Sequence, residues 1–164
     1  MNRAIPAKVA RDEVGAAAVE FALVCGLLFT LVFAIVQYGL FFNDALSTRQ
    51  GIREGARMGV VRNFPACGGQ TTDMDKLRCT TKTQIDALTP NVYVKVVRPA
   101  TWAKTQPLTV CAMVKSDGAI GLVPMPNDGW VSSTIQMSIE QDATPLPTGT
   151  TTADALPSGQ SYPC

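Results

Sequence analysis

One apolar run constrains this chain more than any other feature. Residues 15–42 read GAAAVEFALVCGLLFTLVFAIVQYGLFF and carry a single charge, Glu20. The run is longer than a secretory h-region and meets the roughly 20 residues that a bilayer-spanning helix requires. A short polar head precedes it, with Arg3, Lys8 and Arg11 followed by Asp12 and Glu13. The order is basic head, glycine, small residues, acid, aromatic, long apolar helix. It points to a membrane-held subunit whose N-terminal helix packs against other helices.

The remaining composition excludes several classes. At 164 residues the expected plan is one soluble domain plus an anchor. The formal net charge is +1, and no dense Lys/Arg block lies outside the juxtamembrane stretch, so nucleic acid is not an expected partner. The chain has no His, which removes the commonest general base and the commonest metal ligand. No Gly-rich phosphate loop and no nucleophile–base set appears. Asp73 with Asp75, or Asp86, are the nearest thing to a carboxylate pair, and a solvated helix face is the expected setting for them. No catalytic residue, metal site or cofactor is expected.

The cysteines divide into one and four. Cys25 lies in the apolar run and behaves as a small hydrophobe. Cys67, Cys79, Cys111 and Cys164 lie beyond it and allow three pairings. Cys67 with Cys79 closes a short loop, and Cys111 with Cys164 fastens the tail to the sheet; this is the favoured set. Such staples suit a small domain in an oxidising compartment. A zinc site is the rival, but neither a Cys-x-x-Cys pair nor a His is present.

The helical pattern continues past the apolar run. Residues 43–59 read NDALSTRQGIREGARMG, with Arg49, Arg53 and Arg57 on one stripe and Leu46, Ile52 and Ala56 as apolar positions. Gly51, Gly55 and Gly59 repeat every four residues and form a groove that another helix or a sheet could approach closely. A solvated helix near lipid head groups is the alternative to an assembly face. Residues 63–72 read as a loop around Pro65 and Gly68-Gly69. Residues 73–88 suit a short helix capped by Thr72 or Asp73. Three strands are predicted, at residues 91–98, 108–115 and 131–140, with the period of a half-buried antiparallel sheet. Residues 116–129 read as a long loop, and residues 142–164 as an irregular tail held by the final cysteine.

With these residues in view, the chain resembles a minor pseudopilin of the tight-adherence (Tad/Flp) type IV pilus system, in the TadE-like family. The resemblance rests on Arg11-Asp12-Glu13, Gly15, Val19-Glu20-Phe21, the apolar helix, Arg53-Glu54-Gly55-Ala56-Arg57 and the late strand 133–140. It covers the first sixty residues well, the β part loosely and the tail not at all. It implies cleavage after Gly15 by a membrane prepilin peptidase, leaving Ala16 as the new N-terminus and Glu20 as the fifth residue. It also implies partners: other pilins and minor pseudopilins through the N-terminal helix, and the assembly platform of the bacterial inner membrane.

The chemistry of Glu20 is compatible with that reading. Glu20 lies about one helical turn, roughly 6 Å, from Ala16. A carboxylate there complements a helix N-terminus and can pair with a freed α-amine of its own or a neighbouring subunit. Left unpaired in hydrocarbon it costs at least about 2.5 kcal/mol, so register would follow from satisfying it. The alternative sets Glu20 at the head groups with no partner, because residues 21–42 alone are long enough to span. Gln37 is open between a cross-helix hydrogen bond and an interfacial position. Phe29, Phe33, Tyr38, Phe41 and Phe42 are expected to face lipid or its interface. Trp102 and Trp130 flank strands and are expected to pack.

The expected fold is α+β: a long transmembrane N-terminal helix, then a small extracytoplasmic domain with an antiparallel sheet of three to four strands and a short helix. The expected divisions are a leader at 1–15, an assembly helix at 16–60, an α+β domain at 61–141 and a Pro/Thr-rich tail at 142–164. The expected role is to initiate, prime or cap assembly of an adhesive pilus. The principal alternative is an unprocessed single-pass protein whose outer domain binds an envelope partner or ligand.

Overall fold

The computed structural model describes residues 7–116, 123–142 and 144–164, with side chains from Gly15 onward. The start of the expected leader and part of the 116–129 connection fall outside the described residues. Helix α1 runs Ala7–Val60, 54 residues and about 80 Å long. It lives in two environments. From Gly15 to Val36 no side chain is buried, and the large apolar residues Leu23, Leu27 and Ile35 are mostly exposed. From Gln37 onward one face is covered by the rest of the chain, with Ile52, Ala56 and Val60 in the core.

The domain consists of α2 (Asp73–Gln84) and four strands, β1 (Val92–Val97), β2 (Pro107–Lys115), β3 (Trp130–Ser138) and β4 (Thr152–Ala153). Strand order is β3-β2-β1-β4, and each neighbouring pair is antiparallel. This is the α+β plan expected from sequence. One core joins α1, α2 and the sheet: Met74 and Leu77 of α2, Val94 and Val96 of β1, Leu108, Val110 and Val114 of β2, and Ile139 beyond β3.

Local chemistry sets the boundaries. The Thr72 hydroxyl caps α2 by accepting from the Asp75 amide at 3.2 Å. The helix stops at Gln84, four residues before the expected end. The Ile85 amide turns back to the carbonyls of Thr81 and Lys82, and Pro90 disfavours helix in the residue before it. Between β2 and β3, Asn127 and Asp128 hold φ of 49° and 51°. That left-handed pair suits Asn and Asp, whose short polar side chains tolerate it.

One expectation is corrected and another extended. Strand β2 is not half-buried. Thr109, Cys111 and Met113 on its second face are as covered as Leu108 and Val110 on its first. The cover comes partly from the C-terminal segment, which is irregular over most of its length and held by Cys164 as expected, but is packed on the sheet at further points. It supplies β4, and Tyr162 reaches back to donate to the carbonyls of Val94 and Asp154. Cys111 and Cys164 are joined by a disulfide, as are Cys67 and Cys79. Lys95 donates to the Cys164 carbonyl at 2.7 Å.

Candidate functional site

The candidate site is α1 and the way the domain grips its outer half. Gly15 and Ala16, the expected scissile pair, lie within the continuous helix and are exposed. Glu20 and Phe21 are exposed one turn further on, Phe21 at 70%. Among the described side chains no cation lies within ion-pair range of Glu20. Cys25 is unpaired and half-buried. Thr30 returns its hydroxyl to the Gly26 carbonyl at 2.9 Å, so it exposes little polarity to an apolar surrounding.

Among the described side chains of this helix Gln37 is the first to be buried, at 1% exposure. Its amide grips one residue of the β2–β3 connection from both sides. Nε2 donates to the Val123 carbonyl at 2.7 Å, and Oε1 accepts from the Val123 amide at 3.4 Å. The Tyr38 hydroxyl donates to the Pro124 carbonyl at 3.1 Å. The polarity of Gln37, left open by sequence, is thus satisfied within the chain. Two turns on, the buried Asp44 carboxylate accepts the Leu88 amide at 2.9 Å, and the Asp44 carbonyl accepts the Thr48 hydroxyl. Asp44 carried no motif, and sequence reading passed over it.

The glycine groove of residues 43–59 is approached closely by a helix and a strand, as its spacing suggests, and both belong to the same chain. Arg49, Arg53 and Arg57 form the exposed stripe. Glu54 approaches Arg57 at 3.8 Å with both partly in solvent, an arrangement worth little. The Gly51, Gly55 and Gly59 groove is not free for another subunit, because α2 and β2 of the same chain fill it. A Cβ on Gly51 would meet the Ile85 backbone, one on Gly55 the Thr81 side chain, and one on Gly59 Leu77 and Leu108. Leu46, expected on the apolar face, is 57% exposed instead.

The carboxylates expected on a wet face have structural work. Asp73 accepts the Thr148 amide at 2.8 Å and pairs with Lys76 at 3.6 Å. Burial raises its pKa, but the Thr148 hydrogen bonds and the Lys76 charge together hold it below the ordinary value. Asp75 accepts the hydroxyls of Thr152 and Thr72, and these bonds lower its pKa against a smaller desolvation effect. Asp154 accepts from Arg78, Lys82 and the Val94 amide. Burial, then the Asp154 charge, pushes Tyr162 up to about 12. Together these groups latch residues 148–162 onto α2 and β1. Asp86 is exposed. Trp102 is buried edge-on to Phe64, and Trp130 lies beneath the Lys115 ammonium at 5.6 Å. Among the described residues no cluster of His, Cys, Asp and Glu could hold a metal ion.

Residues 15–57 match the family model described as TadE-like protein. The N-terminal segment is TadE-like. The matched residues are the free apolar half of α1 and most of the half that the domain grips. No curated protein and no solved structure matches the chain significantly. The TadE-like match suggests a Tad pilus-associated protein, one whose associations are with pilus components. The TadE-like helix is also long and apolar enough to cross a membrane, with its most apolar window wholly unburied. That fits a single-pass protein of a pilus system.

Proposed function

We propose that this chain is a minor pseudopilin that helps initiate, prime or cap assembly of a Tad/Flp-type pilus. A prepilin peptidase cuts between Gly15 and Ala16, and the freed helix enters a bundle with other pilin helices. The observation that carries this reading is the coincidence of the TadE-like match with a bare apolar helix bearing one carboxylate. The stretch from Gly15 to Val36 has no cover among the described residues, so lipid or other helices supply it. Glu20 then sets register. An unpaired carboxylate in hydrocarbon is costly, and the α-amine of a processed neighbour is a cation at a matching depth. The C-terminal domain, extracytoplasmic in this reading and stapled by two disulfides, supplies the contacts that distinguish this subunit from its partners.

The test is a Glu20→Gln replacement at the native locus, followed by the amount of this chain recovered in sheared fibres and of fibres on the surface. Loss of either, with normal levels in the membrane, supports the proposal. Unchanged fibres and unchanged recovery would favour an anchored binding domain whose helix takes no part in assembly.

A further inference from the structure

We propose that the end of the domain formed by Val123, Pro124, Met125 and Pro126 rests in the interfacial layer of the same membrane that α1 crosses. The inference depends on reading α1 as a membrane span and adds a second, peripheral lipid contact to it. Length is the first argument. The uncovered stretch from Gly15 to Val36 is about 33 Å long, close to the roughly 30 Å of a bilayer's hydrocarbon. The domain therefore begins to cover the helix where the hydrocarbon ends.

Geometry is the second argument. Gln37 and Tyr38 fix Val123 and Pro124 to the helix at that level. The sheet runs alongside the helix from there. Lys115, at one end of β2, leads into this connection, whereas Leu108 near the other end lies against Gly59. Residues 123–126 thus lie at the end of the domain nearest the membrane, and the β1–β2 turn is the far end, about 30 Å away along β2.

Composition is the third argument. Residues 123–126 carry no charge and are exposed or half-buried. Nearby, Asp128 and Lys115 neutralise each other at 3.1 Å. Tyr38 and the 60% exposed Phe42 lie on the helix at this end, as aromatic residues do at membrane interfaces. A Gln at this depth would ordinarily seek another helix. Here the loop backbone satisfies it, which lets loop and helix enter the interface together.

The experiment uses the full chain in lipid vesicles with an environment-sensitive fluorophore on one thiol at a time. Cys25, the one free cysteine, reports on the span itself. In a Cys25→Ser background, Pro124→Cys and Pro126→Cys report on the loop, and Lys104→Cys on the far end. Quenchers are nitroxides carried on the lipid. The expected result is loss of fluorescence at Cys25, at 124 and at 126, with no loss at 104. Quenching at Cys25 but none at 124 and 126 would overturn the loop contact and leave the span intact. A blue shift at 124 without lipid quenching, which marks cover by another protein, would overturn it too. No quenching at Cys25 would instead overturn the span on which the inference rests.

Discussion

Gly51 of α1 lies against the backbone of Ile85 at the end of α2, so close that a Cβ would come within 2.9 Å of Ile85 Cα. Alanine is a better helix former than glycine by up to about 1 kcal/mol. Overpacking against a backbone that cannot rotate away costs about 1–3 kcal/mol, and this is the larger effect. Gly51→Val is expected to destabilise the domain by several degrees of Tm in detergent. Gly39→Ala, where nothing lies within 4 Å, is expected to leave Tm unchanged or slightly raised. Thermal melts of the two variants check the pair.

The two disulfides are expected to contribute unequally. Cys111–Cys164 closes 53 residues and Cys67–Cys79 closes 12. In the chain-entropy model these loops are worth about 4 and about 3 kcal/mol. Cys111→Ser with Cys164→Ser should therefore lower the urea midpoint more than Cys67→Ser with Cys79→Ser. The first pair should also free residues 154–164 to protease, because Lys95, Tyr162 and Asp154 would then hold the tail alone.

Acid should loosen the latch between the C-terminal segment and α2. Asp73 and Asp75 have folded pKa values below the ordinary 3.8. A depressed carboxylate contributes stability that is full above its unfolded pKa and is lost as pH falls through the folded one. The domain is therefore expected to lose stability as pH falls below about 4, with the loss reduced in Asp75→Asn. Urea unfolding at a series of pH values measures it. An identical slope in the wild type and the variant would show that Asp75 is not part of the latch.

Much of this molecule was legible in its sequence, for physical reasons. The membrane-length apolar stretch of α1 needs only an apolar count; β1 and β3 announce themselves through alternation of Val, Ile and Met with other residues, and β2 through a nearly continuous apolar run. The favoured cysteine pairs required no geometry beyond one short loop and one distant end. What escaped was partner identity. The Gly51-Gly55-Gly59 stripe says that something comes close, but a stripe cannot say whether another subunit or the chain's own α2 comes there. Strand β4 is two residues, Thr152 and Ala153, in a Pro/Thr-rich stretch, and its pairing with Lys95 and Val96 is set by Asp154 rather than by any strand pattern. Asp73 and Asp75 read as a wet face because their ligands, Thr148 and Thr152, lie more than seventy residues away. Gln37 and Asp44 are single polar residues whose partners are backbone groups of distant loops, and backbone partners leave no trace in a sequence.

The most direct measurement is the N-terminus of the protein purified from its native membrane, by intact mass and N-terminal peptide analysis. A chain beginning at Ala16, with Gly15→Val leaving it uncut, is the expected result for a processed pseudopilin. A chain that begins at Met1, or one cut beyond Phe42, would contradict processing at Gly15 and leave an anchored binding domain in its place.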